Sequence, residues 1–237
     1  MSEAYEPDNL LDRHTPRERM QRQYARETAR EEQILARRLG LTSGDVLSVG
    51  SGWLPGRHLF PAPDWRLTAV DVAEDRARYA LQEGLADEAF AGAAGELHDV
   101  PDASFDVVLY RYVLHHVVFD GPLEPVLAEG RRLLRPGGAL VIVEPGLFHP
   151  VGAALALANR AGLGVRVHGT PDDVPLSPRR LAAQCRSVGL APEVHAVSYS
   201  WRRLPAPLQD AVGALDRLGS LPGTRWFGHT FLLIARG

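Results

Sequence analysis

Short apolar runs alternate with helical patterns along most of this chain. The apolar runs are compact and rich in β-branched residues, as is typical of buried strands, and they lie at 46–49, 67–71, 105–110, 139–143 and 225–235, with weaker runs near 90 and at 192–201. Helical patterns lie between them, at 73–83, 123–134, 151–161, 179–188 and 208–218. Strands that alternate with helices in this way predict an α/β fold with a parallel sheet covered on both faces.

The N-terminal part of the chain has a different pattern. A helix is predicted to begin at Thr15-Pro16 and to stop at Gly40. One face of the helix carries Met20, Tyr24, Glu31 and Leu35, so its apolar stripe is thin and interrupted. The acidic residues that match the helix's arginines are Glu18, Glu27, Glu31 and Glu32. We therefore expect a solvated charged face and a helical cover over 1–40 that packs lightly on a main domain over 41–237.

The first predicted strand ends in a glycine-containing turn, and the second ends on a carboxylate. Gly50 and Gly52 follow the first apolar run, and Asp71 comes nineteen residues after Gly52. Glycine lacks Cβ, so its backbone amide can come within hydrogen-bonding distance of a ligand. An acid about 20 residues further on is the usual partner of a ribose diol in such a unit. The pattern predicts a site for an adenosine-containing ligand, with an ordinary tight turn as the alternative.

The amino-acid composition excludes several kinds of functional site. All 26 basic residues are arginine, so no lysine is present for a Schiff base or a phosphate-binding P-loop. The single cysteine, Cys185, excludes an internal disulfide and a multi-cysteine metal site, and we expect no metal. The net charge of −3 gives no general attraction to nucleic acid. We find neither a membrane-spanning apolar run nor a signal segment, so we expect a cytoplasmic protein without an integral membrane segment.

Five motifs occur in a recognisable order. They are VLSVGSG at 46–52, Asp71, VPDASFDVV at 100–108, LHH at 114–116 and LRPGG at 134–138. In combination they resemble the class I S-adenosylmethionine-dependent methyltransferases, and within them the small-molecule branch called type 11 or the ubiquinone and menaquinone methyltransferase type. The resemblance implies a Rossmann-like fold, with a mostly parallel seven-stranded sheet whose last strand is antiparallel. It also implies S-adenosyl-L-methionine as the cofactor.

The same resemblance implies which residues bind that cofactor. They are Gly50, Ser51, Gly52, Asp71, Val72, Glu96, Leu97, Arg111 and Tyr24. The glycine amides would approach the methionine part, and the Asp71 carboxylate would accept from both ribose hydroxyls. The Glu96 carboxylate would accept from the adenine amino group while the Leu97 amide donates to the ring. The backbone around Arg111 would lie beside the sulfonium end.

The chain departs from the family pattern at two places. The family's usual acid before the first glycine is Ser48 here, so the acid that organises the glycine loop is missing. Tyr24 of the first helix is the residue that we expect to assist in its place. The loop also carries extra length at 53–55 before Gly56.

Methyl transfer needs an acceptor lone pair aligned behind the methyl carbon, so holding two reactants in line supplies much of the acceleration. If the acceptor is a hydroxyl, a general base adds typically 10²- to 10⁴-fold. Three histidines follow predicted strands and are candidates for that base: His115, His116 and His149. Glu144 lies close to the last of them in sequence. A packing role for the paired histidines is the alternative.

The acceptor is expected to be a small molecule such as a lipid, a sugar or a secondary metabolite, methylated on oxygen, and not a nucleic acid. Its pocket would lie beside the first helix and the insertion at 146–180, where Tyr24, Phe148, His149 and His168 are candidates to line it. Two alternatives remain: a cofactor-binding cyclase or regulator that does not methylate, and an NAD(P)-dependent oxidoreductase. The second predicts a glycine where the chain has Pro55. The sequence leaves the oligomeric state open.

Overall fold

A central β-sheet organises the chain, whose computed structural model describes residues 15–163 and 174–237. In this part of the chain the sheet has seven strands in the order β3-β2-β1-β4-β5-β7-β6. The strands are β1 Gly44–Val49, β2 Trp65–Asp71, β3 Glu88–Ala91, β4 Phe105–Arg111, β5 Leu134–Pro145, β6 Ala191–Ser198 and β7 Thr230–Arg236. The first five strands are parallel, and β7 runs antiparallel to both of its neighbours. The predicted α/β fold with an antiparallel last strand is therefore confirmed.

The described helices are α1 Arg17–Arg38, α2 Glu74–Gln82, α3 Leu114–Asp120, α4 Glu124–Leu133, α5 Pro150–Arg160, α6 Pro178–Ser187 and α7 Ala206–Gly213, followed by a 3₁₀ turn at Ala214–Leu218. None of the helices within the described ranges is long and apolar enough to cross a bilayer.

One helix and two strand boundaries differ from the sequence prediction. The short helix α3 was not predicted, since LHHVVFD lacks the length for a periodic pattern. Strand β5 begins at Leu134, before the Pro-Gly-Gly turn, because Leu134 pairs with Phe105 across a register shift. Strand β7 begins at Thr230 and not at 225, because hydrogen-bonded turns occupy the preceding residues. Elsewhere the predicted elements agree with the structure to within a few residues.

Apolar residues cover both faces of the sheet. On one face the strands pack with α4 and α6, where Cys185 is buried and free of a disulfide. On the other face they pack with Ile34 and Leu35 of α1 and with Phe60. Strands buried on both faces have continuous apolar sequences, which is why they are visible in the sequence.

The register of the parallel strands brings their carboxyl ends to one edge. Val49 pairs with Val70 of β2 and with Tyr110 of β4. The next residue of β4, Arg111, pairs with Val143 of β5. Segments that follow these strands therefore meet at the same edge, which is where open α/β sheets bind ligands.

Helix α1 covers this edge with a polar face that is buried. Gln23, Glu27 and Glu31 recur every four residues, and all three are buried. The Gln23 amide donates to the Glu27 carboxylate at 2.9 Å and to the Ser198 hydroxyl at 3.0 Å. The prediction that Glu27 and Glu31 belong to a solvated face is wrong. Each carboxylate instead pairs with donors from the sheet, which offsets the free energy of burying it.

Removing the charge of Glu31 tests how deeply α1 is joined to the sheet. Arg111 donates to Glu31 at 2.9 Å, and both side chains are nearly inaccessible to solvent. Glu31→Gln would leave a buried guanidinium without a counter-charge, so we expect the free energy of unfolding to fall by about 3 kcal/mol. Urea unfolding followed by circular dichroism measures it.

The matched control is Glu32→Gln, at the next and exposed position of the same helix. That change should alter the free energy of unfolding by less than about 0.5 kcal/mol. Equal values for the two variants would contradict a buried ion pair.

Candidate active site

The glycine loop after β1 has the backbone of a ligand cradle. Gly50 and Gly52 have φ of 64° and 53°, a region that favours glycine. A Cβ on Gly50 would lie 2.2 Å from Cγ2 of Val113, whereas a Cβ on Gly52 would have no atom within 4 Å. The loop thus packs against the start of α3 on one side and faces open space at Gly52.

Asp71, at the end of β2, is bound to this loop. The Gly52 amide donates to one oxygen of its buried carboxylate at 2.8 Å, and the Ala73 amide donates to the other at 3.0 Å. Each carboxylate oxygen can accept more than one hydrogen bond, so the group can hold the loop and still accept from a diol. The next residue, Val72, has 73% of its surface exposed. The sequence-predicted pair of Gly52 and Asp71 is therefore brought together.

The loop also contains an unsatisfied polar atom. The Ser51 hydroxyl is buried and has no hydrogen-bond partner among residues 15–163 and 174–237, while the Ser51 amide donates to the Val70 carbonyl at 2.9 Å. Buried polar groups are normally hydrogen-bonded, so an orphaned hydroxyl beside an open glycine fits a polar ligand group at this place. The residues at 50–52 and Asp71 fit the adenosyl cofactor implied by the sequence.

Glu96 and Leu97 lie in the turn after β3. The Glu96 side chain is exposed, as a contact with a bound ligand requires. The Leu97 amide, by contrast, donates to the buried carboxylate of Glu129 at 3.2 Å, and its carbonyl accepts from Arg132 at 3.0 Å. The Leu97 amide, which the family resemblance assigns to adenine, thus donates to Glu129 of α4, a residue that none of the five sequence motifs contains.

Arg111, at the end of β4, is held between aromatic rings. Its guanidinium lies 5.6 Å from the ring centre of Tyr24 and 4.8 Å from that of Tyr112, and Glu31 accepts from it. Burial alone would lower the pKa of Arg111, but the Glu31 carboxylate outweighs it and raises that pKa above the usual value. Arg111 is therefore a permanent buried cation that joins α1 to the sheet.

Tyr24 of α1 lies near the segment that follows the glycine loop. Its ring centre is 6.5 Å from that of His58, two residues after Gly56. Burial, and then the Arg111 charge, lower the pKa of His58 to about 4.

Ser48 is buried within β1, between Ala69 and Leu109 on the neighbouring strands. The position of the missing acid is therefore inside the sheet, below the loop.

His115 pairs with a fully buried carboxylate. Its Nδ1 lies 2.6 Å from Oε2 of Glu144, at the end of β5. The other oxygen, Oε1, accepts from the amides of Val113 and Leu114 at 2.9 and 2.7 Å. Because an ionised carboxylate only accepts, Nδ1 is the nitrogen that carries a proton in this contact. The His116 ring lies next to this pair, with its centre 4.0 Å from that of His115.

His149 has a structural position. Its Nδ1 accepts from the Val151 amide at 3.3 Å, which caps α5, and its Nε2 lies 3.2 Å from the Tyr199 carbonyl. Burial, and then the nearby His229, lower the pKa of His149 to about 4. Both ring nitrogens therefore lie within hydrogen-bonding distance of backbone groups.

A second carboxylate and histidine pair was not predicted. Glu27 Oε1 lies 3.8 Å from Nδ1 of His229, and the Thr230 hydroxyl donates to it at 3.0 Å. Burial would raise the pKa of Glu27, but His229, Gln23 and Thr230 together hold it below the usual value. The signal in the sequence is the four-residue spacing of polar residues on α1, since helix positions four apart share a face.

Tyr112, next to Arg111, has φ of 56°, which is uncommon for a residue other than glycine. Its hydroxyl lies 3.4 Å from Glu27, and burial, then Glu27 and Glu31, raise the pKa of Tyr112 well above its usual value. Such backbone strain clusters at functional sites.

Of the other candidates for the acceptor pocket, Phe148 is exposed near Phe227, and His168 lies outside the described residues.

Part of the chain is similar to known methyltransferases. Residues 47–142 match the family model described as a methyltransferase domain. Sterol 24-C-methyltransferase ERG6B of Gibberella zeae is 34% identical over 128 residues, 51% of this chain and 33% of that protein. Thiol S-methyltransferase TMT1A of Homo sapiens is 35% identical over 105 residues, 42% of this chain and 41% of that protein. The chain thus spans about a third to two fifths of the length of these curated relatives.

A solved structure shares the whole fold. It is a SAM-dependent methyltransferase, possible histamine N-methyltransferase, from Thermotoga maritima, with a TM-score of 0.62 and 16% identity over 91% of this chain and 93% of that chain. The strand order sets the domain apart from the dinucleotide-binding alternative, because the sheet of that fold lacks an antiparallel strand beside β5. The family match and the loop at 50–52 agree with this distinction. Over residues 47–142 the chain is therefore similar to the methyltransferase domain family, and it shares the fold of that solved methyltransferase.

Proposed function

We propose that this chain transfers the methyl group of S-adenosylmethionine to a hydroxyl of a small molecule, with His115 as the general base. The observation that carries the proposal is the His115–Glu144 pair, whose carboxylate also holds the start of α3. Val113 in that segment packs directly against Gly50 of the cofactor loop. One carboxylate thus fixes the spacing between the candidate base and the cofactor site.

The cofactor supplies a methyl group on a sulfonium, which is already an activated leaving group. Asp71 would hold its ribose, Gly52 and Ser51 would bind its amino acid part, and Glu96 would meet its adenine. The acceptor oxygen gives its proton to Nε2 of His115 as it takes the methyl group, and the imidazolium then releases that proton to water. Glu144 stabilises this imidazolium and keeps the ring in the tautomer that can accept.

The charged side chains of α1 and β4 also favour a neutral acceptor. Glu27, Glu31 and Arg111 are each already paired within the protein. An acceptor with its own charge would have to be buried without a counter-ion, which is costly. A phenol, a sugar hydroxyl or a sterol-like alcohol meets this condition.

The base is tested with methyl-labelled cofactor and a panel of phenols, sugars and lipid alcohols. Once an acceptor is found, His115→Gln should lower kcat by about 10²- to 10⁴-fold and leave cofactor affinity within about twofold. Glu144→Gln should also lower kcat and should shift the pH dependence, because it acts through His115. An equal loss in His116→Gln and none in His115→Gln would move the base to His116. Tight cofactor binding without transfer to any acceptor would favour the cyclase or regulator alternative.

Cofactor binding is tested at Asp71. Asp71→Ala removes the acceptor for two ribose hydroxyls and also releases the Gly52 amide, so we expect a loss of about 1.5 to 3 kcal/mol, or roughly 10- to 150-fold in Kd. Isothermal titration with S-adenosylhomocysteine measures it. Asp75→Ala, an exposed acid in the first turn of α2, is the matched control and should bind as the unaltered chain does. An unchanged Kd for Asp71→Ala would show that the ribose lies elsewhere.

The assignment of His149 to a structural role is tested by its titration. Its folded pKa of about 4 lies below the unfolded value of 6.5, so protonation favours the unfolded chain and stability is lost as the pH falls from about 6.5 towards 4. Proton–carbon NMR of the ring should show His149 neutral at pH 5.5. A midpoint near 7 would return it to the list of candidate bases.

A further inference from the structure

Helix α5 has the composition of a core helix but not its burial. Its sequence is PVGAALALANR, and Gly152 is its one buried residue. Leu157 has 68% of its surface exposed, and Ala153 and Ala154 are also exposed. A helix in a globular protein normally turns its apolar side chains towards the core. The apolar face of α5 instead meets solvent.

Aromatic side chains extend this surface beside the start of α5. Phe148 and Phe227 are 36% and 48% exposed, and their ring centres are 6.4 Å apart. Leu163, also exposed, follows the carboxyl end of the helix, where its amide donates to the Ala158 carbonyl. We call Phe148, Ala153, Leu157, Leu163 and Phe227 the apolar patch. Phe148 and Phe227 adjoin each other, and the other members lie along α5 or just after it. Exposed apolar surfaces of this kind mark interaction sites.

Arginines surround the aromatic part of the patch. The Arg179 guanidinium lies 5.8 Å from the ring centre of Phe148 and 5.4 Å from that of Trp226. Arg225 lies 4.5 Å from the Trp226 ring centre, and Arg160 ends α5.

Acidic residues are missing from the chain segments that build this surface. Residues 145–163 and 217–237 contain no aspartate or glutamate, and neither do residues 174–192, which include Arg179. The nearest charge pairing on that last segment is between Arg180 and Glu124, on the side of α6 that meets α4. The charged residues on these three segments are therefore arginines, whereas the whole chain has a net charge of −3. Asp172 and Asp173 belong to residues 164–173, outside the described part of the chain.

We propose that the apolar patch and its arginines dock on an anionic lipid bilayer. Leu and Phe side chains that enter the acyl boundary, with Trp and Arg at the level of the headgroups, are the chemistry by which a surface helix binds a membrane without spanning it. Arginine beside anionic headgroups strengthens that binding.

The patch lies at the same edge of the sheet as the candidate active site. Phe148 follows β5 and Phe227 precedes β7, and the strands meet there through Pro145 and Thr230. Docking would therefore turn this edge towards the bilayer, from which an apolar acceptor could be drawn. That last step rests on the proposed function, whereas docking itself does not.

Vesicle co-sedimentation of the full chain, without cofactor or acceptor, tests the proposal. The vesicles are phosphatidylcholine alone or with about a third phosphatidylglycerol. We expect binding to the anionic vesicles that weakens with salt. The double change Leu157→Glu with Phe227→Glu should weaken it at least about tenfold. Arg179→Gln with Arg225→Gln should weaken it about 30-fold and remove the preference for anionic lipid.

The matched control is Leu81→Glu, which places a charge at a position on α2 with 48% exposure. It should sediment as the unaltered chain does, and circular dichroism confirms that each variant is folded. The proposal is wrong if the unaltered chain does not sediment with anionic vesicles, or if Leu81→Glu loses binding equally. A dimer that only the Leu157→Glu and Phe227→Glu change dissociates, with no vesicle binding, would make the patch a contact between copies. Because no cofactor is present, failure here leaves the proposed methyl transfer untouched.

Discussion

The Glu144 carboxylate is the contact on which the arrangement of this site depends. It is completely buried at the end of β5, and it accepts from the Val113 and Leu114 amides and from His115. Three donors replace the water that an ionised carboxylate loses on burial, so the charge is tolerated. The same contacts set where α3 begins and press Val113 onto Gly50. The shape of the cofactor loop and the orientation of the candidate base therefore have a common origin.

A second set of buried charges fixes the N-terminal helix over the same edge. Glu31 meets Arg111 from β4, and Glu27 meets Thr230 and His229 from β7. Buried ionic groups of this kind contribute little net stability over apolar packing, but each partner strongly destabilises the fold when left alone. The polar face of α1 thus specifies one position for the cover.

Much of the fold could be predicted from the sequence, because strands buried on both faces have an unbroken apolar pattern. The pairing of Gly52 with Asp71 was visible for a related reason: both belong to one strand, loop, helix and strand unit, in which spacing along the chain sets the distance in space. Glu27, Tyr112 and His229 were missed because they come from three distant segments of the chain, namely α1, the end of β4 and the start of β7. His149 was placed among candidate bases because its position after β5 is right, yet its role depends on where α5 starts.

The central claim is that one edge of the sheet holds the adenosyl cofactor and aims it at His115. A crystal structure of the chain with S-adenosylhomocysteine tests this most directly. The account predicts that the ribose hydroxyls donate to the Asp71 carboxylate and that the amino acid part contacts residues 50–52. It also predicts that the sulfur faces Nε2 of His115. A ligand that leaves Asp71 bound only to the Gly52 and Ala73 amides, or whose sulfur points away from His115, would contradict it.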